Sequence, residues 1–239
     1  MPVVNSWVTR VSRDRMHLSL MLVLTFGTGI IDAVGYLGLD RVFTGNMTGN
    51  VVIIGMAVVG ADDLPLLGPF LALVGFLAGA AVGGRVLKTA PSVWSLRTTL
   101  LFASVGVVEL ALAVVLLVAG DEPNRGIGIT TTTLLGAAMG VQAATARFVA
   151  VKDVTTVVVT STLTGLAADS VLGSGKGGGS GRRAFAVVLI IAGAAVGALL
   201  LKWHLAAGLV LAGVVVLGCT LVGAWHDRLV SGQVEHDVA

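Results

Sequence analysis

Charge is what this chain has least of. Lys, Arg, Asp and Glu together make up 12% of its 239 residues, about half the share of an ordinary globular domain. With a mean hydropathy of +0.98, that scarcity excludes a soluble enzyme. Cysteine is nearly absent as well. Cys219 stands alone in an apolar run, so neither a disulfide framework nor a cysteine metal cluster is available. The four histidines, His17, His204, His226 and His236, fall at the ends of apolar segments or in the tails, without metal-ligand spacing. No Ser/His/Asp arrangement and no HExxH motif is present. The chain is therefore expected to be no enzyme, with no catalytic residue, no metal, no cofactor and no nucleic-acid partner. A membrane enzyme would need facing carboxylates or histidines near an interface.

What replaces the charge is a series of long apolar runs, at about 17–39, 65–86, 98–120, 127–147, 184–201 and 204–225. Each is long enough to cross about 30 Å of hydrocarbon at about 1.5 Å per residue. The first follows Arg10, Arg13 and Arg15, as a signal peptide would. It is too long for a signal h-region and lacks a small-residue cleavage site, so it reads as a transmembrane helix. Two further stretches differ. Val42–Ala61 and Val154–Leu172 are rich in Thr, Gly, Ser and Asn over their first halves. Within the first, Val51 to Ala61 is the clean apolar run, enough for a helix of about 16 Å, half a membrane.

The chain also repeats itself. AGAAVGGRVLK at 78–88 returns as AGAAVGALLLK at 192–202, and TGNMTG at 44–49 returns as TSTLTG at 160–165. Each half, about 17–120 and about 127–228, holds one span, one Thr/Gly segment and two more spans, in a single transmembrane domain. Charge placement decides how the Thr/Gly segments run. If both are re-entrant, Arg10, Arg13, Arg15, Arg85, Lys88, Arg97, Arg147, Lys152, Lys176, Arg182, Arg183 and Arg228 share one side, against Arg41, Arg125 and Lys202. Eight full crossings would split the same residues almost evenly. The positive-inside rule therefore favours six spans with both termini cytoplasmic, in the cell membrane. Three crossings per half make the halves inverted, an architecture common among secondary transporters. Trp94, Trp203 and Trp225 all fall at expected membrane–water interfaces, where indole prefers to sit.

The polar segments carry the chemistry. Polar backbone at membrane depth is tolerated where it is buried in protein or lines a wet cavity. A glycine-rich entry to a short helix turns free N–H groups toward that cavity. Thr44, Gly45, Asn46, Thr48, Gly49 and Asn50 form the first such entry. Thr160, Ser161, Thr162, Thr164 and Gly165 form the second, expected to arrive from the opposite side and meet the first around a neutral or anionic solute. Tight helix packing by Thr and Gly is the competing explanation. Asn46-Met47-Thr48 matches a glycosylation sequon, but its place inside the membrane motif argues against that use.

Three acidic residues, Asp32, Glu109 and Asp169, lie in or near apolar segments. An intramembrane carboxylate is a functional candidate by default. Asp32 suits a proton-coupled step, or else an ion pair with a buried Arg41 or Arg147; Glu109 carries a weaker version of the same case. Asp169 is compatible with a solvated segment end. Gly75, Gly79, Gly83, Gly193 and Gly197 have the four-residue spacing of close helix packing, within the chain or in a homodimer. Gly173-Ser174-Gly175-Lys176-Gly177 lacks phosphate-loop spacing and reads as a linker.

Taken together, Asp32-Ala33, Tyr36-Leu37, Val42–Asn50, Gly140-Val141-Gln142 and Thr160–Gly165 resemble the bacterial YoaK / DUF1275 family of small membrane proteins. The family pattern has Ala where Gly45 stands and Asn where Ala143 stands. The resemblance implies an integral membrane protein and supplies no substrate. The reading is thus an all-α polytopic bundle of six spans with two re-entrant segments, acting as a small secondary transporter in the lipid bilayer. A channel or a non-transporting scaffold is the alternative. Cysteines placed at Asp62 and at Arg97 are expected to differ in labelling by an impermeant reagent from outside; equal accessibility would remove the six-span arrangement.

Overall fold

The computed structural model of the chain describes residues 12–149, 159–175 and 180–238, with side chains to residue 232. Residues 154–158 of the second Thr/Gly stretch, residues 176–179 of the linker and the side chain of His236 lie outside that description. Among the described residues the elements are helices: α1 (Arg13–Gly38), α2 (Met47–Val58), α3 (Leu67–Leu87), α4 (Leu96–Ala119), α5 (Arg125–Val149), α6 (Val159–Ala168), α7 (Ser180–Leu201) and α8 (Leu205–Val238). A single 3-10 turn, Ala61–Asp63, precedes α3. Six helices are long and apolar enough to span, and α2 and α6 are the short ones. Five of the six spans agree with the sequence at both ends to within about a turn; α8 starts where expected and runs on well past residue 225. Local chemistry sets the ends. Ser12 and Ser95 cap α1 and α4 by accepting the N–H of Arg15 and Thr98, and Gly120 stops α4 at a φ of 84°.

Helix directions settle the number of crossings. Arg13 lies 3.9 Å from Asp227 at one end of the bundle, while the position of Gly38 abuts Leu205 at the other, so α1 and α8 are antiparallel. α4 and α8 are antiparallel too. Trp94 meets Gly223, Gly106 meets Gly213, and Asp121 beyond α4 accepts the N–H of Leu205 at 2.8 Å. Eight straight crossings would make α4 and α8 run the same way. Arg13, Arg85, Arg97, Arg147 and Arg183 thereby gather at one end of the bundle, hereafter the basic end. Asp40, Asp62, Asp63, Asp121 and Glu122 gather at the acidic end.

The tightest packing crosses between the two halves. α1 lies parallel to α7, and α3 lies parallel to α5. A Cβ on Gly193 would overlap the Phe26 carbonyl, one on Gly197 would meet that of Ile30, and one on Gly79 would overlap that of Ala137. Gly136 and Gly140 return the contact against Ala72 and Phe76. Removing side chains at the seam lets two backbones approach, which is where helix association in lipid finds its van der Waals contact. The glycine stripes are therefore consumed inside the chain and do not form a seam between copies. Exchanging α1 with α5, α2 with α6, α3 with α7 and α4 with α8 carries every helix–helix packing among the described residues onto another of the set.

The core splits along the bundle axis. One apolar cluster, toward the acidic end, contains Ile30, Ile31, Val34, Leu112, Leu116, Leu135, Met139 and Leu209. The other, toward the basic end, contains Leu20, Leu24, Phe102, Val105, Ala146 and Val216. Between them lies a buried polar layer: Thr25 and Thr28 on α1, Glu109 on α4, Gln142 and Thr145 on α5. Trp203 and Trp225 are exposed as interface indoles should be, whereas Trp94 is buried. It is packed with His17 and Phe102, at 5.5 and 5.8 Å between ring centroids, and its Nε1–H donates to Thr99. Aromatic stacking within the chain has taken the place of the lipid headgroup there.

The glycine seams make a direct prediction. Gly79→Val or Gly193→Val should lower the unfolding temperature of the detergent-solubilised protein sharply, by overpacking worth about 1–3 kcal/mol or more. Gly84→Val, at a position with nothing within 4 Å, should leave it nearly unchanged.

Candidate intramembrane site at the first Thr/Gly segment

α1 ends at Gly38, and Asp40 and Arg41 follow with φ of 60° and 57°. These two left-handed residues turn the chain back on α1, so that Val42 donates its N–H to the Gly35 carbonyl at 3.3 Å. Gly35 is required at that crossing, because a Cβ there would overlap the Val42 carbonyl. The returning strand reaches the level of Asp32, about 9 Å below the helix end at about 1.5 Å per residue. There Asp32 Oδ1 accepts three backbone N–H groups, from Gly45 at 2.7 Å, Thr44 at 3.0 Å and Asn46 at 3.3 Å.

The rest of the motif closes the loop on itself. Asn50 Nδ2 donates to the Phe43 carbonyl at 2.6 Å, and its Oδ1 accepts the Phe43 N–H at 2.9 Å. Asn46 Oδ1 caps α2 through the Gly49 N–H at 3.3 Å. Phe43 stacks on Tyr36 at 4.7 Å between centroids, and the missing Cβ of Gly49 leaves room for that ring. Thr48 is exposed, and Thr44 is fully buried. α2 is 12 residues long, about 18 Å, and returns to the end of the bundle it came from. Gly38, Asp40, Asp63 and Gly68 line the same depression as Asp121 and Arg125, so the first Thr/Gly segment is re-entrant.

These bonds change the reading of Asp32 and of the loop. Arg41 and Arg147 are both exposed, and the carboxylate is held by backbone N–H groups instead. Hydrogen bonds to a charged group are each worth about 1.5–3 kcal/mol. Three of them exceed the roughly 2.5–3.5 kcal/mol that insertion scales assign to an aspartate at mid-membrane. The N–H groups expected to face a solute are thus already satisfied within the chain.

The second segment is built differently. On α6, Thr160, Ser161 and Thr164 are exposed, Thr162 is buried and Gly165 is partly buried. Thr164 Oγ1 donates to the Thr160 carbonyl at 2.9 Å. Arg183 of α7 clamps the far end of α6, donating from Nη1 to the Gly165 carbonyl at 2.9 Å and to Asp169 Oδ2 at 2.7 Å. Asp169 is therefore ion-paired rather than simply solvated. Among the described residues α6 packs on α7, α2 packs on α3 and the 3-10 turn, and the two short helices do not touch each other. The expected meeting of the two segments is absent from this conformation.

What lies beside the first loop is the polar layer. Gly45 sits against Thr28, Met139 and Asp32, and Gln142 Nε2 donates to Thr28 Oγ1 at 3.3 Å. Thr25, Thr28 and Thr145 return their hydroxyl hydrogens to carbonyls of their own helices. Among the described residues three buried oxygens have no hydrogen-bond partner: Thr44 Oγ1, Gln142 Oε1 and Glu109 Oε2. A buried polar atom left so costs about 1–3 kcal/mol, which marks this layer as the place where a partner belongs. Thr28 and Gln142 escaped the sequence reading as site residues. Two signals pointed to them: Thr28 stands one turn before Asp32 on α1, and it lies 114 residues before Gln142, the separation of the longer repeated stretches.

Above the layer, at the acidic end, a depression of about 620 Å³ carries Asp40, Asp63, Asp121, Glu122 and Arg125 around a floor that includes Val42, Gly68 and Thr132. Among the described residues no group of three His, Cys, Asp or Glu is placed to hold a metal ion.

Replacing Asp32 by Ala removes all three loop anchors and should destabilise the protein by about 3 kcal/mol or more. Asp32→Asn, which keeps an acceptor oxygen, should cost clearly less. Equal melting temperatures for both variants and the parent would show that the anchors carry no stability.

Comparison with known proteins fits this construction. The family described as "Protein of unknown function (DUF1275)" matches residues 20–222. The chain is 28% identical over 152 residues to the UPF0700 transmembrane protein YoaK of Bacillus subtilis (strain 168), covering 63% of this chain and 66% of that protein. No solved structure matches. The family match begins within α1, ends within α8 and takes in Asp32, the re-entrant loop and the polar layer, and on that extent the chain belongs to the DUF1275 family of membrane proteins.

Proposed function

We propose that this protein is a small secondary transporter that moves a small polar solute across the cell membrane by alternating access. The observation that carries the proposal is the re-entrant half-helix α2, pinned by Asp32 beside a buried layer with three unpartnered oxygens. Interrupted backbone at mid-depth is where transporters place their solutes. The exchange symmetry of the packing supports reading the two halves as inverted repeats. Rocking one half against the other would then open the layer alternately to each side. The gathering of Lys and Arg at the basic end supports placing both termini in the cytoplasm.

Within this reading Asp32 holds the loop, and Glu109, buried without a partner at Oε2, is the residue available for coupling. Thr44, Asn46 and Asn50 shape the wall of the first segment, and α6 forms the mobile wall from the other half. Arg147, exposed at the basic end, stands outside the site. A scaffold role has one observation in its favour: Thr44, Asn50, Gln142 and Glu109 are all closed off from solvent. It leaves the three unpartnered oxygens unexplained.

Purified protein in liposomes should give saturable, pH-gradient-driven uptake of at least one member of a panel of small polar solutes. Glu109→Gln should remain monodisperse yet lose about tenfold or more of that flux. Flux that ignores both the gradient and Glu109 would identify an uncoupled channel, and no saturable flux for any solute would leave the scaffold.

A further inference from the structure

Resting on the transport reading, we infer that the solute is a small cation bearing N–H donors, of the ammonium or guanidinium type, and not an anion. Two separate features of the fold support this. The first is the inventory of unused hydrogen-bonding capacity in the polar layer. The N–H groups of Thr44, Gly45 and Asn46, which an anion would need, all converge on Asp32 Oδ1. Asn46 has taken the Gly49 N–H and Asn50 the Phe43 N–H. No Lys or Arg is buried among the described residues. What remains without a partner is oxygen: Gln142 Oε1 and Glu109 Oε2, which as amide and carboxylate oxygens accept, and the hydroxyl Thr44 Oγ1. An anion entering this layer would meet two carboxylates, Asp32 and Glu109, against one spare N–H of the Gln142 amide and the Thr44 hydroxyl. A cation with several N–H groups would find acceptors and a balancing charge.

The second feature is the approach. The depression at the acidic end sets four carboxylates, Asp40, Asp63, Asp121 and Glu122, against the one guanidinium of Arg125. Its floor includes Val42, two residues from Thr44, so the charged mouth lies directly over the loop. A cleft lined by one sign of charge concentrates ions of the other sign. Both the mouth and the layer thus favour the same class of solute. A bare metal ion fits less well, because among the described residues no three ligating side chains of the His, Cys, Asp or Glu type come together; dispersed acceptors suit a solute that presents several directed donors.

The test uses the full-length protein in liposomes on a solid-supported membrane, challenged in turn with methylammonium chloride, guanidinium chloride, sodium formate and sodium nitrate. Saturable currents are expected with one or both organic cations and not with the two anions. Glu109→Gln and Thr44→Val should each lower the cation current about tenfold or more. Thr44→Val, close to isosteric, guards against the first variant failing to fold. Asp40→Asn/Glu122→Gln, both at exposed positions, should raise the half-saturating cation concentration in low salt, and high salt should erase the difference. Saturable currents for formate or nitrate alone would overturn the inference while leaving transport intact. Cation currents untouched by either layer variant would overturn the site. Absence of saturable current for all four probes would count against this inference, while the transport reading itself would stand or fall by the broader solute panel.

Discussion

Everything unusual about this bundle follows from three N–H groups and one carboxylate oxygen. Backbone polar groups at membrane depth must be satisfied by the protein itself, since the lipid offers no partner. The segment between α1 and α2 cannot use helical hydrogen bonds at Thr44–Asn46, because the chain there runs back against the helix it has just left. Asp32 supplies the acceptor for all three. Its neighbours are chosen to permit that geometry: Gly35 for the crossing, two left-handed residues for the reversal, Asn50 to close the loop around Phe43. The short α2 is a consequence. With its N-terminus tied at mid-depth and its exit back at the acidic end, it has room for about half a membrane.

The same physics separates the two intramembrane carboxylates. Asp32 is satisfied, and its burial is offset by charge-assisted bonds. Glu109 lies 1% exposed in α4 with Oε2 unpaired, so the fold gains nothing visible from it. An intramembrane carboxylate without a partner is a functional candidate by default. Its layer separates two apolar clusters, one toward each end of the bundle. A core interrupted in this way is easier to part along the interruption than a continuous one.

Much of this was legible in the sequence, for identifiable reasons. Span number came from apolar runs and from the one-sided placement of Lys and Arg, both of which are averages over many residues and tolerate local surprises. The re-entrant course of 42–61 was readable because its apolar part is too short to cross. Individual partners were not readable. The carboxylate of Asp32 and the amides of Thr44–Asn46 are 12 to 14 positions apart, and each alone looks like a group waiting for a ligand. Pairing them requires the reversal at Asp40-Arg41, which no periodicity announces. The burial of Trp94 was unreadable for a related reason: a tryptophan at a span boundary looks the same whether it faces headgroups or stacks between His17 and Phe102. The glycine stripes announced close packing, and the partner helix, α5 for α3 and α7 for α1, was supplied by the fold.

Those interlocked glycine seams have a consequence for how the protein comes into being. α1 makes its closest backbone contact with α7, and α3 with α5, so neither helix of the first half can complete its packing with what has been synthesised before it. The early spans must wait in the bilayer, loosely associated, until the late ones leave the ribosome. Long waits of this kind slow assembly and expose unfinished surfaces to wrong neighbours. The order of synthesis and the order of assembly are therefore different in this molecule: its first helix is among the last to be finished.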